Sequence, residues 1–144
     1  MPGLEERFAH ALHSTARAWR QALDRRLKHL GMSQASWMTI AVAARAPAPL
    51  SQSEIADRLA VEGATMVAMI DRLVKAGLVI REPSITDRRV KRIALTKAGQ
   101  RLYADVKAEA DAFRHELLAQ VDAKQLASAT ELLESLQRRI EGGA

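Results

Sequence analysis

Apolar residues recur along the chain at helical spacing, interrupted once by a short stretch of strand-like alternation. From residue 4 to residue 30 they fall at Leu4, Phe8, Leu12, Trp19, Leu23, Leu27 and Leu30, with Thr15 in register. Steps of three and four put them on one face of a long helix, with Arg17, Arg20, Arg25 and Lys28 largely off that face. Gly31 supplies its stop. Ser33 is predicted to open a second helix, Gln34 to about Arg45, bearing Trp37, Ile40 and Ala44. Ala46-Pro47-Ala48-Pro49 ends it, because proline neither donates to the turn nor continues it. Ser51 and Glu54 have the spacing of a capping box, which predicts a short helix from Gln52 to about Leu59 with Ile55 and Leu59 facing inward. A fourth helix follows, roughly Gly63 to Ala76, on the stripe Met66, Met69, Ile70 and Leu73, and Gly77 ends it.

Two extended runs come next, Leu78 to Glu82 and Val90 to Leu95, the second alternating as a half-buried strand does. A turn-rich tip, Pro83 to Arg89, separates them. Thr96 caps a long helix to about Val121, carrying Leu102, Val106, Phe113 and Leu117. Asp122 with Gln125 marks a second capping box and a last helix through Leu126, Leu132, Leu133, Leu136 and Ile140. The fold class is mainly α (α+β). Helix, short turn, helix and a two-stranded hairpin form a winged helix-turn-helix over residues 33–96, flanked by terminal helices at 1–32 and 97–144. All of it reads as one domain, 1–144.

Composition narrows the chemistry. The 144 residues include no cysteine, which removes disulfides, thiolate metal sites and thiol nucleophiles. His10 and His13 are one helical turn apart but have no recognisable third ligand, so no metal and no cofactor is expected. No glycine-rich phosphate loop, serine–histidine–acid set or paired carboxylates can be placed, and an enzyme is not expected. The start lacks the order of a signal peptide, and the longest apolar stretch, Met38 to Ala44, is too short to cross a bilayer. These features predict a soluble, cytoplasmic protein with no membrane partner.

The net charge of +5 is unevenly placed. Residues 81–101 hold seven cations (Arg81, Arg88, Arg89, Lys91, Arg92, Lys97, Arg101) against Glu82 and Asp87, a surplus equal to that of the whole chain. A local cationic surface on a balanced protein points to a polyanion. With only 3% aromatic residues, stacking platforms for single strands are not expected, and duplex DNA is the better fit. The major groove admits a helix and carries the full base code. The helix from Gly63 would present Ala64, Thr65, Val67, Ala68 and Arg72 to it. Arg88 and Arg89 at the hairpin tip suit the adjoining minor groove, with Asp87 orienting an arginine. Lys91, Arg92 and the amides near Ser51 suit phosphates. Asp71, four residues before Lys75, is expected to form a helix-surface pair with it.

Leu50-Ser51-Gln52-Ser53-Glu54-Ile55-Ala56, Asp71-Arg72-Leu73-Val74-Lys75-Ala76-Gly77-Leu78-Val79, Asp87-Arg88-Arg89 and Ile93-Ala94-Leu95-Thr96-Lys97-Ala98-Gly99 resemble, in order and spacing, the MarR family of bacterial transcription regulators. Arg17-Ala18-Trp19-Arg20, Leu23-Asp24-Arg25-Arg26-Leu27 and Gly31-Met32-Ser33-Gln34-Ala35-Ser36-Trp37 resemble its SlyA-like branch. The resemblance implies a homodimer on a palindromic operator, acting as a repressor or anti-silencer. Terminal apolar stripes with no other domain to pack on agree with a dimer. Leu4, Phe8, Leu117, Val121, Leu132, Leu136 and Ile140 are the expected interface.

The resemblance also implies a cleft for a small aromatic carboxylate such as salicylate, at positions matching Arg17 and Trp37, with Arg20 one turn from Arg17 and Ala41 also at the cleft. Trp37 suits either core or cleft. Two positions depart from the branch: Ala68 stands where relatives commonly carry a guanine-reading arginine, and Ala41 where one carries histidine. Without a bidentate side chain on the exposed face, strict guanine preference is not expected. The alternatives are a ligand-insensitive architectural DNA-binding protein, or a protein-interaction module on the same fold.

Overall fold

The computed structural model describes residues 1, 3–87 and 89–143. Among them are six α-helices and a three-stranded antiparallel sheet: α1 (Leu4–Leu27), α2 (Gln34–Arg45), β1 (Leu50–Ser51), α3 (Gln52–Leu59), α4 (Gly63–Lys75), β2 (Val79–Pro83), β3 (Lys91–Leu95), α5 (Lys97–Leu118) and α6 (Ala123–Glu141). The start and stop signals act where their chemistry requires. Ser33 accepts from the Ser36 amide at the head of α2, and Gly31 takes φ 74° to end a 3-10 turn, Lys28–Leu30, that tightens the end of α1. At α3 both halves of the capping box form, Glu54 N–H to Ser51 Oγ and Ser51 N–H to Glu54 Oε1, each at 3.1 Å. Thr96 Oγ1 accepts from the Gly99 amide at 3.0 Å, and Asp122 accepts from that of Gln125, also at 3.0 Å. These caps satisfy donors that a helix start leaves open.

Strand β3 is central, in the order β1-β3-β2. Leu50 and Arg81 both face Ile93 across it, and Val79 pairs with Leu95. The chain's contacts group into two compact units, Met1–Ala110 and Asp111–Ala144. The first is built on Leu27, Ile40, Ile55, Ile70, Val79 and Ile93, all but fully buried. Leu23 of α1 and Val106 and Ala110 of α5 are buried in it as well, so the ends of the flanking helices belong to the same unit as the winged lobe. Arg26 of α1 donates to Glu109 of α5 at 2.9 Å. In the second unit no residue of α6 is buried among those described.

Both ends of the chain leave apolar side chains uncovered. In α1 Leu4 is 76% exposed, and Phe8 and Leu12 are exposed with it, while only Leu23 and Leu27 are buried. In the second unit Leu117, Val121, Leu132, Leu133 and Ile140 are exposed, Ile140 to 79%, and Leu136 is half-buried.

Two backbone positions are tightly constrained. A Cβ on Gly99 would lie 2.1 Å from the Leu78 carbonyl oxygen, the same oxygen that accepts from the Thr96 amide. Ala60, between α3 and α4, sits at φ 54° in the left-handed region, where a Cβ crowds its own backbone. Gly99→Ala is therefore expected to lower the unfolding free energy by about 1–3 kcal/mol. Ala60→Gly is expected to raise it by about 0.5–1 kcal/mol, net of the entropy glycine adds to the unfolded chain. Urea denaturation of the two variants beside the parent measures both, and the opposite sign at either position would refute the local account.

Candidate nucleic-acid interface

Helix α4 divides cleanly by face. Met66, Met69, Ile70 and Leu73 are buried, while Ala64, Thr65, Val67, Ala68 and Arg72 are all exposed. The outer face is thus small and apolar, with one cation a turn further on. It could lie close against a duplex edge and touch thymine methyls, but holds no bidentate partner for guanine.

The hairpin β2–β3 stands beside this face and is held to it by one guanidinium. Arg81 of β2 reaches Asp71 of α4 at 2.6 Å through Nη2 and Gln52 of α3 at 3.2–3.3 Å through Nη2 and Nε. Asp71 is therefore committed to Arg81, not to Lys75 as the helical spacing suggested. A strand-borne arginine spans elements, which an i, i+4 rule cannot register. The sequence pattern shows Arg81 only as one of seven clustered cations, and nothing in it marks Gln52 or Ser84 as holding the hairpin. The buried Ser84 gathers the tip: its hydroxyl meets that of Thr86 at 3.1 Å, its amide donates to Val90 O at 2.9 Å, and Arg92 Nε donates to it at 3.4 Å.

Of the tip cations, Arg88 lies outside the described residues. Arg89 is 91% exposed, and Asp87 holds it by its backbone N–H at 3.0 Å and by Nε and Nη2 at 3.3 and 3.4 Å. Asp87, itself partly in solvent, thus orients an arginine. Lys91 is exposed. Arg92, expected at a phosphate, instead donates to the Pro49 carbonyl at 2.8 Å and braces β3 against the segment before α3. The Ser51 amide is likewise occupied, by Glu54.

The residues matching the ligand cleft do not all come together. Arg20 borders an apolar cavity of about 250 Å³ whose walls include Met38, Leu59, Val61, Met66 and Met69. Arg17 and Arg20 line a second, more polar recess of about 430 Å³, bordered by α1 and by Gln34 at the start of α2. Trp37 and Ala41 are buried and line neither; the Trp37 indole donates to Asp24 Oδ1 at 3.3 Å. That bond satisfies a buried N–H and ties α1 to α2, which is a packing role. Thr65, by contrast, borders the apolar cavity as well as standing on the exposed face of α4.

Comparison with known proteins agrees with this architecture. The family model described as MarR family matches residues 30–90. A solved structure of transcriptional regulator PA3341 is 38% identical, with 94% of this chain and 98% of that one covered at a TM-score of 0.86. The fold is shared with CouR from Rhodococcus jostii RHA1, solved bound to p-coumaroyl-CoA (24% identity, 94% and 95% covered, TM-score 0.80). It is shared too with Staphylococcus aureus MarR, solved with salicylate and kanamycin (20% identity, 98% and 95% covered, TM-score 0.85). Among the described residues no helix is long and apolar enough to cross a membrane.

Two exposed carboxylates report on the integrity of the site. The Ser51 amide, and after it the Ser51 side chain, holds Glu54 below its ordinary 4.5, and the Arg89 amide, then its guanidinium, holds Asp87 below 3.8. A depressed folded-state pKa contributes stability that is present above the unfolded value and lost as pH falls through the folded one. The α3 cap and the Arg89 clamp should therefore persist at neutral pH and loosen only below 4.5 and 3.8 respectively. Carboxyl-carbon NMR titration should return midpoints under those values; a Glu54 midpoint at or above 4.5 would contradict the capping box.

Proposed function

The chain belongs to the MarR family of transcriptional regulators, DNA-binding regulators and not enzymes, and from that premise we propose that it acts as a homodimer on a palindromic duplex operator. Helix α4 enters the major groove with Ala64, Thr65, Val67 and Ala68 against base edges. The hairpin tip, Arg88 and Arg89, follows the adjoining minor groove, while Arg72, Lys91 and the amides that follow Ser51 at the start of α3 engage phosphates, the Ser51 amide itself being held by Glu54. The observation that carries this reading is the exposed outer face of α4, with small side chains at Ala64, Thr65, Val67 and Ala68 and Arg72 a turn on, beside a cationic hairpin whose Arg89 is oriented by Asp87. Small side chains let the backbone approach the groove, and the cations supply the affinity.

A second copy covers the apolar side chains left open by α1 and by the C-terminal helices: Leu4, Phe8, Leu117, Val121, Leu132, Leu136 and Ile140. An amphipathic helix that keeps its stripe in water is unfavourable by about 25 cal/mol for each Å² left uncovered. In this division residues 1–32 and 97–144 dimerise and residues 33–96 read DNA. Two-fold symmetry then places half-sites about one helical turn apart. The motifs around Arg17, Leu23 and Trp37 support a place in the SlyA-like branch and, with it, the reading of a repressor or anti-silencer released by a small aromatic carboxylate. Arg20 beside the apolar cavity supports such a ligand, as do the salicylate and coumaroyl-CoA complexes of the two structural neighbours. Arg17 lies one turn away, and Trp37 and Ala41 remain in the core beside α1.

Fluorescence anisotropy on duplex DNA across a salt series tests the DNA reading. Affinity should fall steeply with salt, and Arg72→Ala or Arg89→Ala should each reduce the log–log slope by about 1. Slopes unchanged in both variants would overturn the assignment. Selection from random duplexes should recover a two-fold site without a strict guanine under α4. Salicylate should lower DNA affinity measurably at millimolar concentration; no change would favour the ligand-insensitive architectural alternative.

A further inference from the structure

One large apolar side chain stands wholly in water outside the helices that a second copy would cover. Ile85, in the turn between β2 and β3, is 102% exposed, and among the large apolar side chains described only the terminal Met1 exceeds it. Its surroundings are polar and ordered. Ser84 before it is buried, with its amide on Val90 O at 2.9 Å, and Thr86 after it donates its amide to Ser84 Oγ at 3.3 Å. The Val90 amide closes the turn on Asp87 O at 3.0 Å. Both neighbours of Ile85 are therefore fixed, and a β-branched side chain is itself stiff at χ1. The turn thus holds an aliphatic group out rigidly, at a position where a polar residue would be better solvated. The same turn carries Arg89, 91% exposed and oriented by Asp87.

Resting on the DNA reading above, we propose that Ile85 is a minor-groove wedge, inserted at a base step while Arg89 lies along the same groove, so that the protein bends its operator. Shape and chemistry agree on this division. The minor groove of a straight duplex is about 6 Å wide, which a flat guanidinium enters and a branched aliphatic group beside it overfills. Opening one base step toward the major groove makes the room, and isoleucine is among the side chains that do this, with kinks of about 20–90°. Ile85 has no donor or acceptor for a base edge, so what it reads is the ease of deforming the step. Pyrimidine–purine steps, TA and CA/TG, unstack most readily and are the ones it selects. Arg89 supplies the attraction and Ile85 the deformation, and together they give the hairpin a sequence preference that the cation alone lacks.

Resonance energy transfer between the labelled ends of a duplex recovered from the random pool, bound to the full-length chain, tests this. The parent should bring the ends together as a bend of at least about 20° requires, and 2-aminopurine at the step under the hairpin should brighten at least about twofold as it unstacks. Ile85→Ala, at a fully exposed position that leaves folding intact, should abolish both signals and lower affinity about three- to tenfold. Ile85→Met should restore them. The log–log salt slope should stay that of the parent, because an aliphatic side chain releases no counterions, whereas Arg89→Ala lowers it by about 1. Selection with Ile85→Ala should lose the enrichment of TA and CA/TG steps under the hairpin. A duplex equally straight or equally bent with parent and Ile85→Ala overturns the wedge and leaves the DNA reading standing. An affinity loss without brightening does the same and makes Ile85 a groove-wall contact. Loss of higher-order self-association in Ile85→Ala by sedimentation velocity, with bending unchanged, overturns the wedge by assigning Ile85 to a second copy. Binding of the parent to no duplex at low salt removes both the wedge and the DNA reading.

Discussion

The burial of one stripe on α4 governs what the rest of the molecule can do. Met66, Met69, Ile70 and Leu73 are withdrawn from water, and each such side chain contributes about 1.5–3 kcal/mol when fully buried. Turning the helix by even a quarter of its circumference would expose several of them. The exposed positions are therefore set by the buried ones: Thr65, Val67, Ala68 and Arg72 face outward because Met66, Met69, Ile70 and Leu73 cannot. The Arg81–Asp71 pair, with Asp71 more than half exposed, is worth at most about 1 kcal/mol and cannot orient the helix. Its effect is on the hairpin, where it adds a polar tie through a guanidinium shared with Gln52 to a joint already held by the Leu78 amide on the Leu73 carbonyl and by the buried Val79.

The hairpin itself is organised from within. Arg92 and Ser84 spend their polar groups on Pro49, Thr86 and Val90, so the turn is held by bonds within the hairpin and to the segment before α3. Asp87 then orders Arg89, which remains almost wholly in solvent. A cationic tip with a prearranged side chain loses less conformational entropy on meeting an anion than a free arginine would. The stretch thus separates two kinds of cation that composition alone cannot distinguish: Arg81 and Arg92 hold the scaffold, whereas Arg89 and Lys91 stay available.

Local signals were legible in the sequence, and contacts between elements were not. The caps at Ser33, Ser51, Thr96 and Asp122 act through atoms three residues away, and they place the starts of α2, α3, α5 and α6 where the spacing predicted. Strand β1 was missed because two residues carry no period; Leu50 and Ser51 are a strand only by pairing with Ile93 and Arg92. The same limit applies at Asp71, whose partner is ten residues away on a strand, and at Trp37, whose indole is taken by Asp24 from another helix. The winged helix-turn-helix was readable from periodicity and capping. The cleft residues were readable only in part, since Arg17 and Arg20 stay on the surface of α1 while Trp37 and Ala41 sink into the core. Nothing in the spacing marked Leu59 and Val61 as cavity walls, because their position depends on the left-handed turn at Ala60.

That α4 has a cavity on one side and an open face on the other constrains how a ligand could act on DNA binding in the proposed reading. A helix of 13 residues is about 20 Å long and does not bend locally around an occupant, so contact with Met66 and Met69 moves or locks the element as a whole. Thr65 borders both sides and leaves little slack between them. A ligand changes DNA affinity only by binding the competent and incompetent arrangements unequally, and couplings of this kind are typically about 1–3 kcal/mol. The outer face of α4, being small and apolar, has few directional base contacts to lose when it shifts. The larger effect falls on the cations, because Arg72 on the helix and Arg89 on the hairpin must meet phosphates and groove walls at fixed separations. With Arg81 fastening the hairpin to α4, a displacement of the helix is carried to the hairpin as well. An occupant of the cavity would then act by altering the spacing of charges along the duplex, more than by disrupting the reading of any single base.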